Sequence, residues 1–237
     1  MASIPVALLG GGLALAGERI NKRGLTRKAP QPDSAVYKQD DLLNALDGYV
    51  KEVSPDNPID KFYLSTATPE EITEASKPRG NLLTMASSGM KDGAPAVKMN
   101  MNAPAPMFAH ELGHTAFGQT GFGERVQDVR AQLKNNPKLR NSLLAASTLV
   151  PGVAAALTPG DEDLLASIGL SLAMDSPALI DEFEANRRSI RLMNDAGVRM
   201  NAGDRARMAG AFLSYLGKPL ALAASGNMLG NMVDQDV

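Results

Sequence analysis

The spacing of apolar residues divides this chain into a short mixed region and a long helical one. Asp41 to Val53 (DLLNALDGYVKEV) carries its apolar residues at helical spacing behind an acidic start. That pattern predicts a short helix, ended by Ser54-Pro55-Asp56-Asn57-Pro58. The rhythm then shortens. Lys61–Thr66 is β-prone, Thr68 and Pro69 read as the cap and first residue of a short helix, and Asn81–Met85 reads as a second strand. Gly89–Gly93 is expected to be a turn, and Pro95–Met101 a third strand with clean alternation. From Met107 onward the period is helical. Gly118–Gly123 should end the first of these helices, and Glu124–Asn135 should form an amphipathic second. Two apolar stretches, Ser142–Leu157 and Leu164–Leu179, predict a helical hairpin, followed by helices over Asp181–Asn194 and Gly203–Leu216. The expected class is α+β and mostly helical: a small sheet first, a helical half after it.

The two ends of the first forty residues read differently. Ile4–Ala16 is an apolar run with the outline of a secretory signal, but no Lys or Arg precedes it and Gly10-Gly11-Gly12 breaks it. It reads better as a retained segment that packs on the fold or on a neighbour, as a member of a larger assembly would. It is shorter than the roughly 20 residues a membrane span takes. Residues 17–40 are basic, then polar with prolines, and read as an arm. Residues 41–237 are then expected to form one domain, with the 142–179 hairpin inserted in it.

Composition narrows the chemistry chiefly by what it lacks. Of 237 residues, 44% are hydrophobic and 21% charged, enough apolar content to bury a core. A net charge of −2 gives no electrostatic case for nucleic acid or an anionic membrane. The absence of Cys removes disulfides, thiol nucleophiles and thiolate metal ligands. Aromatics are few and Met and Ala plentiful, a composition that suits closely packed helices.

Against that background the only two histidines stand in one pentapeptide, His110-Glu111-Leu112-Gly113-His114, an H-E-x-x-H motif. Two histidines scattered over a chain of this length meet that pattern roughly once in two thousand shuffles. On a helix, positions i and i+4 share a face, so both imidazoles can reach one Zn²⁺ with Glu111 beside them as general base. Catalytic zinc takes three protein ligands and keeps a position open. With no further His and no Cys, the third ligand has to be a carboxylate. The best candidates are Asp181, Glu182 and Glu184 in one helical segment; Glu182 and Glu184 lie about 200° apart around it, so both cannot face the metal.

Here the chain resembles a family. Glu182-Phe183-Glu184-Ala185-Asn186-Arg187-Arg188 is similar to the second motif of gluzincin metallopeptidases, in particular those of the CAAX prenyl protease/HtpX-like kind. The resemblance implies a zincin-like domain in which Glu182 is the third ligand and residue 186 supports the site from behind. The family has Asp at that position where this chain has Asn186. It also carries a late histidine near the transition-state oxygen. None follows His114 here, so Tyr215 is the expected substitute donor and Arg207 a weaker one.

The function these residues imply is zinc-dependent hydrolysis of peptide bonds in a peptide or protein substrate. Gly113 would let the motif helix pack closely, and the Pro95–Met101 strand would pair with the substrate backbone. The competing reading is a structural or assembly protein, for example a virion component, that keeps the fold with weak, specialised or lost activity. Its supports are the apolar N-terminus, Asn186 and the missing late histidine. A membrane-active hairpin is disfavoured because Ser142–Leu157 is short and holds Pro151-Gly152.

Overall fold

The computed structural model describes residues 34–67, 86–100, 103–139, 141–142, 168–169, 172–173, 175–206, 208–209, 212–213, 215–217 and 220–221. The expected arm before residue 34, the Thr68 helix, the Asn81–Met85 strand and most of the 142–179 hairpin lie outside them. Contacts divide the chain into two compact units, 19–125 with 181–209, and 1–18 with 126–180 and 210–237.

The first unit opens on α1 (Ala35–Val53), which starts six residues earlier than its apolar spacing suggests. Residues 35–40 are thus helix and not arm. The start is held from outside the helix: Ala35 N–H donates to the Ala103 carbonyl at 2.6 Å, and Ser34 bridges Pro104. That bridge brings the beginning of α1 beside the beginning of the motif helix. Leu42, Leu46, Tyr49 and Val50 form the buried face of α1 at helical spacing.

A three-stranded sheet follows, with β1 (Tyr63–Thr66), β2 (Ala86–Lys91) and β3 (Ala94–Met99) in the order β1-β3-β2. β3 runs parallel to β1 and antiparallel to β2. Gly89–Lys91 belongs to β2, which corrects the turn expected there. The reversal takes only Asp92 and Gly93, both at positive φ (51° and 77°), the backbone of a two-residue hairpin in which glycine avoids strain. β3 is the middle strand and both of its edges are taken. The expectation that Pro95–Met101 pairs with substrate is therefore overturned for the body of the strand, because residues 96–99 are paired on both sides. Among the described residues the sheet edges are β1 and β2.

The motif helix α2 (Ala105–Gly118) starts before Met107, because Pro106 sits in the first turn, where its missing N–H costs nothing. Every residue from Ala105 to Phe117 is buried. α2 packs against α1 on one side and against β2 and β3 on another. It ends at Gly118, and α3 (Gly121–Asn135) begins after two residues, three positions sooner than expected. Thr120 accounts for this. Its hydroxyl accepts from the Gly123 N–H at 3.0 Å and donates to the Phe117 carbonyl at 2.8 Å, capping the new helix on the end of the old one.

α4 (Ser176–Asp195) carries the second motif. Asp181, Glu182, Ala185, Ser189, Leu192 and Met193 are its buried residues. Leu192 and Met193 join Phe108, Leu112, Leu42, Val50, Val97 and Met99 in one core. The fold is thus α+β, mostly helical with a small sheet, as the apolar spacing suggests. No helix among the described residues is long and apolar enough to cross a membrane.

Candidate metal centre

Two helices build the site, and a glycine sets how closely they meet. At the crossing of α2 and α4, a Cβ on Gly113 would stand 2.2 Å from the Ala185 carbonyl oxygen and 2.9 Å from its carbon. Both are backbone atoms, so only a residue without Cβ allows this approach. Around this contact the functional side chains face each other. His110 and His114 project from α2; Asp181, Glu182 and Asn186 project from α4.

The Nε2 atoms of both histidines turn to one carboxylate. His110 Nε2 is 3.2 Å from Glu182 Oε2, and His114 Nε2 is 3.7 Å from Glu182 Oε1. The two rings meet edge to face, 4.8 Å between centroids. All three residues are buried, and one ligand atom from each can be chosen within 4.8 Å of the others. Ligands held at about 2.0–2.1 Å from one tetrahedral zinc lie roughly 3.3 Å apart; the two contacts to Glu182 are near that spacing, and the group could hold a metal ion once its widest pair closes in around it. The chemistry of the donor set agrees. Glu111, Asp181 and Glu182 are all buried around two imidazoles, and a divalent cation offsets that negative charge.

The outer nitrogens are also engaged. His110 Nδ1 lies 2.9 Å from Asn186 Oδ1, so its N–H donates to the amide oxygen and leaves Nε2 toward Glu182. His114 Nδ1 lies 3.1 Å from Asp181 Oδ1. That contact is close in distance but not aligned as a hydrogen bond. Glu184 stands elsewhere on α4, ion-paired with Arg188 and, at 3.6 Å, with Arg187. Arg188 also donates from Nε to the Tyr49 hydroxyl at 2.9 Å and covers the Phe117 ring at 4.7 Å, tying α4 to α1 and α2.

The two remaining sequence candidates lie apart from this description. Tyr215 belongs to the second compact unit, where it lies beneath the Arg130 guanidinium at 5.9 Å. Arg207 is outside the described residues. Sequence reasoning weighed Asp181 only as an alternative ligand and missed its place behind His114. The signal was its position directly before Glu182, which a helix crossing can aim at a second imidazole.

Burial lowers the His110 pKa, but more than offsetting this are the Glu182 hydrogen bond, the charges of Glu111 and Glu182, and the Asn186 bond. The ring is therefore held above its ordinary 6.5. In the metal-free chain, protonated His110 stabilises the fold below that ordinary value. The contribution is lost as pH rises through the raised folded value. A metal competes with the same proton, so its apparent affinity should climb with pH, by up to about tenfold per unit for one proton, and level off above the folded pKa. Chelator competition from about pH 6 to about pH 9 measures this. A flat profile would mean that His110 gives up no proton when metal binds.

Compared with protein-family models, with curated proteins and with solved structures, the chain gives no match.

Proposed function

We propose that the protein is a zinc-dependent endopeptidase of the gluzincin type, with a zincin-like site in which His110, His114 and Glu182 hold the metal. The observation that carries the reading is the convergence of both Nε2 atoms on Glu182 in a buried site that also holds Glu111. The arrangement of two histidines from one helix and a carboxylate from another supports hydrolysis over storage, since three protein ligands leave a position for the reaction.

Zinc, when bound, supplies Lewis-acid polarisation of the scissile carbonyl and brings the pKa of the attacking water toward about 7. The chain's own residues do the rest. Glu111 accepts the proton of the attacking water and returns it to the leaving amine. Asn186 fixes the His110 ring with Nδ1–H outward and Nε2 inward. The strand β2, an edge strand among the described residues, packs against the motif helix and would offer an extended peptide backbone hydrogen bonds in place of β3. The substrate is then a protein or peptide bound in extended form.

The test is proteolysis of an unfolded protein substrate together with metal analysis of the same sample. The expected result is cleavage that chelation abolishes and zinc restores. Bound zinc with no cleavage of any unfolded substrate would favour the assembly-protein reading instead.

A further inference from the structure

We infer that Asp181 is the positioning carboxylate of the site, holding the His114 ring in place of the negative charge that residue 186 lacks. The inference rests on the proposed metal centre and concerns the layer behind its ligands. The resemblance places a carboxylate at 186, one helical turn beyond the metal-binding Glu. Here that position is an amide, 2.9 Å from His110 Nδ1. The carboxylate stands instead at the residue before Glu182, 3.1 Å from the Nδ1 of the other histidine. Each imidazole therefore has one oxygen behind it and Glu182 in front. The outer layer keeps one negative charge but places it on the other ring.

Burial argues that this charge is not incidental. Asp181 is 2% exposed in a 20-residue helix, and it is the sixth residue, too far in to serve as a cap. A carboxylate buried there needs polar company, and the Nδ1 edge of the His114 ring lies 3.1 Å from it. With a metal bound on the Glu182 side, a small turn of the ring would direct its Nδ1–H to Asp181 and leave Nε2 for the ion, the tautomer metal binding requires. Asn186 does the same for His110 without charge. The amide at 186 then marks a site whose outer charge stands on the other side of the metal ligands.

The test compares the full chain with Asp181→Asn, Asp181→Ala, Asn186→Asp and the exchanged pair Asp181→Asn/Asn186→Asp. Zinc affinity is read by chelator competition, and the protonated nitrogen of each imidazole by ¹⁵N NMR, with and without zinc. Asp181→Ala should weaken zinc binding about 10–100-fold, and the isosteric Asp181→Asn by less. Asn186→Asp should bind at least as tightly as the native chain, and the exchanged pair should return to within a few fold of it. In the zinc-loaded native chain the His114 proton should sit on Nδ1, and Asp181→Asn should make it exchange faster. Native zinc affinity in both Asp181 variants, or zinc on His114 Nδ1, would overturn the inference. Zinc binding in the expected order without hydrolysis would defeat the peptidase reading and leave the role of Asp181 supported. A native chain that takes up no zinc overturns both.

Discussion

Glu111→Gln is expected to retain the metal and lose about 10²–10⁴ in the rate of peptide hydrolysis. The side chain keeps its size and its buried position on α2 beside His110, so neither ligand geometry nor packing should change. What it loses is the ability to take a proton from water and return it to the departing amine. Because the two histidines and Glu182 are untouched, zinc content should match the native chain. Turnover of an unfolded substrate, measured beside metal content, separates the two effects. Equal activity in the variant would mean that another group is the base; lost metal would mean that Glu111 holds the site together instead.

The second large effect lies in packing. Gly113→Ala places a methyl group inside the van der Waals radius of the Ala185 carbonyl, at 2.2 Å, where only movement of a whole helix gives relief. Overpacking of this kind costs about 1–3 kcal/mol, and a clash with backbone stands at the upper end. The displaced helix is α4, which carries Asp181, Glu182 and Asn186, so the metal centre should open as stability falls. Gly48→Ala is the matched control. It lies in α1 with open space around the new methyl, and should stabilise the fold by about 0.5–1 kcal/mol. Thermal unfolding of the metal-free proteins, with zinc titrations alongside, checks both. Similar unfolding temperatures in the two variants would show that the helices do not approach at Gly113.

How much of this was legible beforehand depended on whether the signal was local. The H-E-x-x-H helix announced itself because its spacing is set within one segment. The search for a candidate carboxylate ligand was narrowed by an inventory without Cys or further His, and Glu182 was singled out by the resemblance. Asp92-Gly93 was legible too: a two-residue turn of this composition is a strong hairpin signal, but Gly89 drew the turn forward and hid part of β2. The position of β3 was not legible. Its alternation identifies a strand, but which strands flank it depends on pairing between residues 63–66 and 96–99, far apart in sequence. Local caps decided the helix ends. Thr120 and the Ala35–Ala103 hydrogen bond move two starts by several residues, and apolar period carries no trace of either. The role of Asp181 had the same origin. Periodicity puts it beside Glu182 on one helix, but only the close crossing at Gly113 aims it at His114.

The central claim is that His110, His114 and Glu182 together hold one metal ion, and zinc stoichiometry in the purified chain tests it most directly. The account predicts about one Zn²⁺ per chain, falling steeply in His110→Ala, His114→Ala and Glu182→Ala and unchanged in Glu184→Ala, since each of the first three removes one of three protein ligands. Full occupancy in Glu182→Ala with loss in Glu184→Ala, or no zinc in the native chain, would contradict it.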